Sequence, residues 1–408
     1  MKKLSLLVIT ATLLSSCKRD PIGTDPGNPN SYSVETLYTI PLENQFVDNW
    51  YLKFGYTSGK LVIPTKDIIF GEVGLLGLYD IDSDSARTLD SQLRSSTSNI
   101  QRNQKPLVSG PYVIFESTER FQCFNASTGT HVWASDVAIQ SSINHGYTGA
   151  HFYEGNFVYV DDWNEQNSTP EWSIISTPVN SYQPDTVFTQ AEFSIAPLDA
   201  RPNFRLAKNS NGDEILTITC GLSNSLNTLV KLINLSTDQV MYTDTINEAR
   251  VCFQELLIQD DRIVIPLDKR ICSYNLNSGS RTWYTTPLGN SRIDSKFFIY
   301  EDELFYASTS NDAWVSINVN TGMRTSRDIP EIGELSLTER DFKVTDGTLY
   351  YTTALELRAI DLATGEHLIS PEDSRRLGEF TGGPIYVPEL DILFAHTQDE
   401  ILAIRLKR

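Results

Sequence analysis

From about residue 33 onward, apolar residues come in short runs rather than long helical stretches. Gly, Asn, Asp, Ser or Pro interrupts them at close intervals. This spacing reads as strands joined by turns. One unit recurs. An apolar strand meets a tight turn and a second strand; a third strand ends in Asn or Asp; a short turn with Gly leads to a fourth. The third-strand turn is clearest in Phe124-Asn125-Ala126-Ser127-Thr128-Gly129, Tyr274-Asn275-Leu276-Asn277-Ser278-Gly279, Ile317-Asn318-Val319-Asn320-Thr321-Gly322 and Ile360-Asp361-Leu362-Ala363-Thr364-Gly365. Weaker copies end at Asp84 and Asp238, a degenerate one runs from Trp172 to Pro178, and an eighth covers Ile401 to Arg405.

The period is regular. Gly279, Gly322 and Gly365 are 43 residues apart, and Asp84 precedes Gly129 by 45. Four strands in about 43 residues is the size of a propeller blade. The turn chemistry is local. Asn or Asp caps the strand end through its own side chain, and Gly takes the positive-φ position that reverses the chain. Asp260-Asp261, Glu301-Asp302, Asp346-Gly347 and Glu154-Gly155-Asn156 are expected to turn between first and second strands. The expected fold is therefore all-β, an eight-bladed β-propeller, with seven blades as the fallback. The last copy lacks a fourth strand. Tyr38-Thr39-Ile40-Pro41-Leu42 aligns with Tyr284-Thr285-Thr286-Pro287-Leu288, so an N-terminal strand is expected to close the ring.

The first residues carry an address rather than a fold. Lys2 and Lys3 precede an apolar run from Leu4 to Leu14, followed by Leu14-Ser15-Ser16-Cys17. This resembles the lipobox of bacterial lipoproteins, in which the Cys is acylated and becomes the N-terminus. The division implied is a signal peptide at 1–16, a tether at 17–32 and a propeller at 33–408. Residues 18–30 hold three Pro, two Gly and no aromatic, as a spacer would. The resemblance implies an outer-membrane lipid anchor, with the body facing either the periplasm or the exterior.

Composition narrows the partners. Acidic residues number 52 against 33 basic ones, a net charge of −19. Such a surface repels phosphate backbones, so nucleic acid is not expected. Beyond Cys17, four cysteines remain: Cys123, Cys220, Cys252 and Cys272, all in apolar runs. They read as buried hydrophobes, with a Cys220–Cys252 bridge as the alternative.

The segments Phe124–Trp133 and Tyr274–Trp283 both read aromatic-Asn-x-x-x-Gly-x-x-x-Trp in part, with Asn125 and Asn275 leading. They resemble the tryptophan-docking repeat of quinoprotein-like propellers. Lipoproteins of that type include the scaffold of the outer-membrane barrel-assembly machinery. Most docking tryptophans are missing from the other repeats. The quinone-dependent enzymes of the family carry a vicinal disulfide, but no two cysteines here are adjacent. No Cys-x-x-Cys, phosphate-binding Gly loop or His-Glu-x-x-His occurs either. No cofactor, metal or catalytic residue is assigned. His131 and His367, each two residues after a turn Gly, read as exposed outer-strand positions.

Candidate binding residues lie where the repeat fails. The loop of repeat three contains Asp161, Asp162, Trp163 and Glu165 and ends at Trp172, while that of repeat four covers Gly221 to Thr228. The connections between repeats add Trp50, His145, Tyr147, Arg201 and Arg205. Binding groups concentrate on loops held by a rigid scaffold. The expected role is a monomeric, non-catalytic scaffold for an envelope protein or peptide, with a glycan-binding or carbohydrate-active surface protein using Trp163 and Trp172 as the alternative and a quinone-dependent dehydrogenase as the second. Three triplets stand apart: Asp84-Ser85-Ala86, Asp185-Thr186-Val187 and Asp244-Thr245-Ile246. They resemble the Asp-Ser/Thr-aliphatic acceptors of bacterial protein O-glycosylation.

Overall fold

The computed structural model describes residues 33–41, 55–66, 73–89, 106–116, 121–135, 150–161, 172–193, 202–222, 225–250, 255–268, 270–285, 297–308, 313–325, 327, 329–330, 342–353, 356–380, 382–397 and 400–407. They form eight small antiparallel sheets. Blade 1 is Gly55–Thr57, Lys60–Lys66, Val73–Asp80 and Ser85–Leu89, paired in chain order from the inside outward. Blades 2 to 6 repeat that order over residues 107–134, 151–189, 203–246, 257–284 and 297–330. Blade 7 has three strands, Phe342–Thr345, Thr348–Thr352 and Leu357–Asp361. First strands of neighbouring blades lie against one another, including Ile385–Val387 of blade 8 against the first strand of blade 1. The sheets therefore form a closed ring, an eight-bladed β-propeller.

Blade 8 joins the two ends of the chain. Its inner three strands are Ile385–Val387, Ile392–His396 and Glu400–Lys407, and its outer strand is Ser33–Pro41. Ser33 pairs with Lys407 and Pro41 with Glu400. The expected closure is present, but its register differs by one residue. Tyr38 stands opposite Ala403, as Trp283 stands opposite Ser273. Tyr38 is thus the counterpart of Trp283, not of Tyr284. A β-bulge at Leu37 absorbs the extra residue.

The turns follow the sequence chemistry. The carboxamide of Asn275 accepts from the backbone N–H groups of Asn277 and Ser278, and Gly279 has φ +74°. Asn125, Asn318 and Asp361 repeat this pattern. At the weaker copies Asp84 and Asp238 occupy the Gly position with φ of 49° and 54°. In the degenerate third blade, Thr177 Oγ1 instead accepts from Gln183 N–H and holds a longer turn.

One blade-to-blade contact recurs. In five blades the outer strand bulges against the third strand and the residue after the bulge reaches the next blade, whereas the outer strand of blade 1 pairs without a bulge. That residue is Trp133, Phe188, Tyr242, Trp283 and Tyr38 in blades 2, 3, 4, 5 and 8. Each packs in one cluster with the residue that follows the third strand, or its Asn or Asp, in the next blade: Val179, Leu235, Leu276, Val319 and Ile81. The indoles also donate: Trp133 Nε1 to Val179 O at 3.0 Å and Trp283 Nε1 to Val319 O at 2.6 Å. Blade 6 has a substitute. Arg327 Nη2 donates to Leu362 O, the matching carbonyl of blade 7, at 2.8 Å. In blade 7, Leu368 is buried beside Leu406 of blade 8. Blade 7 also lacks a fourth strand; the backbone of Leu368 bonds Ala359 instead, and a short helix, α2 (Pro371–Arg375), follows.

Two predictions follow from this geometry. Removing residues 33–41 exposes the edge of Glu400–Lys407 and opens the ring, so the melting temperature should fall by roughly 10 °C or more; an unchanged transition would contradict closure. Gly322 sits under Trp283, and a Cβ there would come within 2.5 Å of the indole at φ +71°. Trp283→Ala should cost about 3–5 kcal/mol in denaturant unfolding. Gly322→Ala should destabilise the wild type more than it destabilises Trp283→Ala, and strictly additive effects would rule out the contact.

Candidate binding face

The two ends of the ring differ in construction. One end carries the turns between first and second strands and between third and fourth strands. It is tight and acid-rich. Glu154, Asp260, Glu301, Asp346 and Asp391 all occupy turn positions with positive φ. Its turns bond across blades: Asp261 Oδ1 accepts Ser210 N–H at 2.6 Å, Asn211 Nδ2 donates to Asn277, and Gln259 Nε2 donates to Glu301 O. The Ser210 hydrogen bonds hold the Asp261 carboxyl below its usual pKa. The other end carries the connections between second and third strands and from one blade to the next. Of the expected binding residues, Asp161, Trp172 and Arg205 are described, on strands of blades 3 and 4 or at their ends.

Asp161 ends the second strand of blade 3 opposite Ser173 and is half-buried. It is the base from which the 162–171 segment departs. Trp172 closes the same loop, but it is no open platform. It is 3% exposed, its ring lies 5.6 Å from that of Phe193, and its backbone N–H donates to Gln190 Oε1. The helix α1 (Gln190–Phe193) covers it. Stacking of a ligand on Trp172 is therefore corrected: burying a large apolar ring in the core outweighs presenting it to solvent. Arg205 lies within the inner strand Asn203–Lys208 of blade 4, not in a connecting loop, and pairs with Glu255 at 2.8 Å. Trp50, His145, Tyr147, Asp162, Trp163, Glu165 and Arg201 lie outside the described residues, as does Cys17.

In the repeat-four loop, Leu222 N–H donates to Asn227 O at 3.0 Å, and Asn227 Oδ1 accepts Glu248 N–H at 3.1 Å. Leu226 there is 47% exposed. On blade 7 the buried Glu356 carboxylate takes two cations, Arg358 and Arg375, the latter at 2.9 Å. One exposed cluster escaped sequence reasoning. Tyr284, half exposed, lies under the guanidinium groups of Arg270 and Arg281, 5.6 and 4.6 Å from its centroid. Arg281 also pairs with Asp244 of blade 4 at 2.8 Å. Arg281 and Tyr284 share the outer strand of blade 5 and Arg270 precedes its third strand, while Asp244 comes from the outer strand of blade 4.

The histidines are more enclosed than expected. His131 is half-buried edge-on to Phe124, 5.1 Å between rings, and burial lowers its pKa. His367 is half-buried beside Arg358. Cys123, Cys220 and Cys272 are buried in strands of three different blades; burial pushes the Cys123 and Cys272 thiols up to about 12. Cys252 lies outside the described residues. Among the described residues no group of three His, Cys, Asp or Glu converges as a metal site. No two cysteines are adjacent in the chain, so the vicinal disulfide of the resembled quinone-dependent enzymes has no counterpart in it.

The fold defines an eight-bladed β-propeller, and solved structures of that class resemble it. BamB from Moraxella catarrhalis matches 92% of this chain and 98% of its own at 11% identity, with a TM-score of 0.52. The Dos1 propeller covers 91% of this chain and 95% of its own at 7% identity and TM-score 0.62. The quinohemoprotein alcohol dehydrogenase ADHIIG from Pseudomonas putida HK5 covers 91% of this chain and 76% of its own at 9% identity and TM-score 0.57. By sequence, no family model matches the chain and no curated protein matches it. These likenesses establish the fold.

His396 provides a test of the loop-face interior. It ends the second strand of blade 8 and is 1% exposed, and burial lowers its pKa to about 3. The folded protein keeps it neutral, whereas the unfolded chain protonates it near pH 6.5. Stability from this group is present above pH 6.5 and is lost as pH falls toward 3, by about 1.4 kcal/mol per pH unit. Between pH 6 and 4, unfolding free energy should decline less steeply in His396→Gln than in the wild type. Parallel curves would refute that assignment.

Proposed function

We propose that this chain is a lipid-anchored envelope protein whose propeller is a non-catalytic scaffold, taking up a protein or peptide on its loop face. The anchor is Cys17, with residues 17–32 as tether and the outer membrane as location. The observation that carries the reading is the polarity of the ring. Ser33 pairs with Lys407, at the tight-turn end of blade 8. The tether therefore joins the body on the side opposite the loop face. That leaves the irregular connections pointing away from the attachment point, where a partner can reach them. The fold likeness to BamB supports the same class of role. Groups on the tight-turn side are already committed to turns and inter-blade bonds, whereas Leu226 projects freely from the loop face.

A photo-crosslinking residue introduced in intact cells at Leu226 should yield a discrete protein adduct, while the same residue at Asp260, exposed on the tight-turn side, should yield none. Adducts only from Asp260, or from neither position, would count against the reading. In the same cells, Cys17→Ser should abolish fatty-acid labelling completely.

A further inference from the structure

We propose that Thr186 is a glycosylation site, an acceptor for a sugar transferred to its hydroxyl after export. The three Asp-Ser/Thr-aliphatic triplets all fall on the fourth strands of their blades, or on the turn that leads into one: Ser85–Leu89, Asp185–Thr189 and Gln239–Ile246. Those strands form the perimeter of the ring, and no further strand of the sheet covers their outer edge. The structure then separates the three.

An acceptor in a folded protein needs a hydroxyl in water, an acidic neighbour free to be read, and an extended backbone with one edge open. Thr186 meets all three conditions. Asp185 and Thr186 are both exposed. Among the described residues, the Asp185 carboxylate meets no cation and the Thr186 hydroxyl has no hydrogen-bonding partner. Thr186 pairs with Ile175, and the chain bulges at the next residue, so Val187 is only half-buried. The triplet starts its strand directly after the exposed Gln183 and Pro184.

The other two triplets are occupied. Asp244 accepts from Arg281 and from the Tyr274 hydroxyl at 2.8 and 2.9 Å, and Ile246 is 4% exposed. Thr245 is exposed, but both flanking residues are committed to the core between blades 4 and 5. Asp84 accepts the Tyr79 hydroxyl and holds a positive-φ turn position. Asp185 alone of the three acids is free.

In the transfer, the Thr186 oxygen attacks the anomeric carbon of an activated sugar. A C–O bond forms there as the bond to the donor's phosphate breaks. The donor is a nucleotide- or lipid-phosphate-linked sugar, its phosphate carries off the electron pair, and the hydroxyl proton passes to a base of the transferase. No redox change occurs. A sugar at this point adds a bulky hydrophilic group to an open sheet edge, which opposes strand-to-strand association between molecules.

The proposal rests on export, and the test separates the two. Full-length protein is purified from the envelope of its own cells, digested and sequenced by mass spectrometry with electron-based fragmentation. The peptide holding Thr186 is expected to be heavier by whole monosaccharide increments, with the fragment ions locating them on that residue. Thr186→Val, which removes the hydroxyl but keeps a β-branched strand former, should lose the entire increment. Thr186→Ser should retain it, and Asp185→Asn should lose most of it. Acylation of Cys17 is read from the same sample, so that failure of export is seen independently. A wholly bare Thr186, or sugar on Ser85 or Thr245 with Thr186 bare, overturns the proposal.

Discussion

Each blade has apolar residues on both faces of a small twisted sheet, and it can bury them only against its two neighbours. The contact that fixes neighbour to neighbour is the residue after the outer-strand bulge, seated on the turn of the next blade. Trp283 shows the full form: its ring fills the space over Gly322 and its N–H reaches Val319 O. The bulge matters because it aims that side chain across the gap. A regular strand would send it to the other face of its own sheet. The same contact is made in the last blade, where the outer strand comes from the other end of the chain. The chain supplies it from its beginning, with Tyr38 placed by a bulge at Leu37.

This constraint explains why so many tryptophans can be absent. The requirement is for volume over the neighbour's turn, and secondarily for a donor to its carbonyl. Phe188, Tyr242 and Tyr38 supply the volume. Arg327 supplies the donor, while its guanidinium also lies over Tyr300 and pairs with Glu301. Burial raises the Tyr38 hydroxyl to about 12, so it stays neutral within its cluster. The position is conserved in geometry and free in chemistry.

That distinction also decides what could be read from sequence. The turns were legible because their physics is local: Asn275 bonds residues two and three ahead, and Gly279 takes a φ few other residues accept. Eight units and their closure followed from counting such turns. The docking residues were not legible in the same way. Their alignment depends on a one-residue bulge, which leaves no residue signature, and so Tyr38 was matched to Tyr284 instead of Trp283. Trp172 was misjudged for a related reason. Beside an insertion it reads as a loop aromatic, and only the later segment at Gln190–Phe193 encloses it. The Tyr284 cluster needs Asp244 from another blade to hold Arg281, and no spacing rule links them.

The same packing divides the molecule's surface by freedom. On the tight-turn side, side chains such as Asp261, Asn277 and Gln259 tie one blade to the next. Changing them costs the ring, so that side can vary little. On the opposite face Arg250 N–H donates to Asp268 Oδ1 and Asp268 N–H to Arg250 O, and the strands beneath are already paired. Insertions such as 162–171 can lengthen there while Asp161 and Ser173 still face each other at the base. Because the N-terminal strand begins at the tight-turn end to close the ring, Ser33 and the loop face lie at opposite ends.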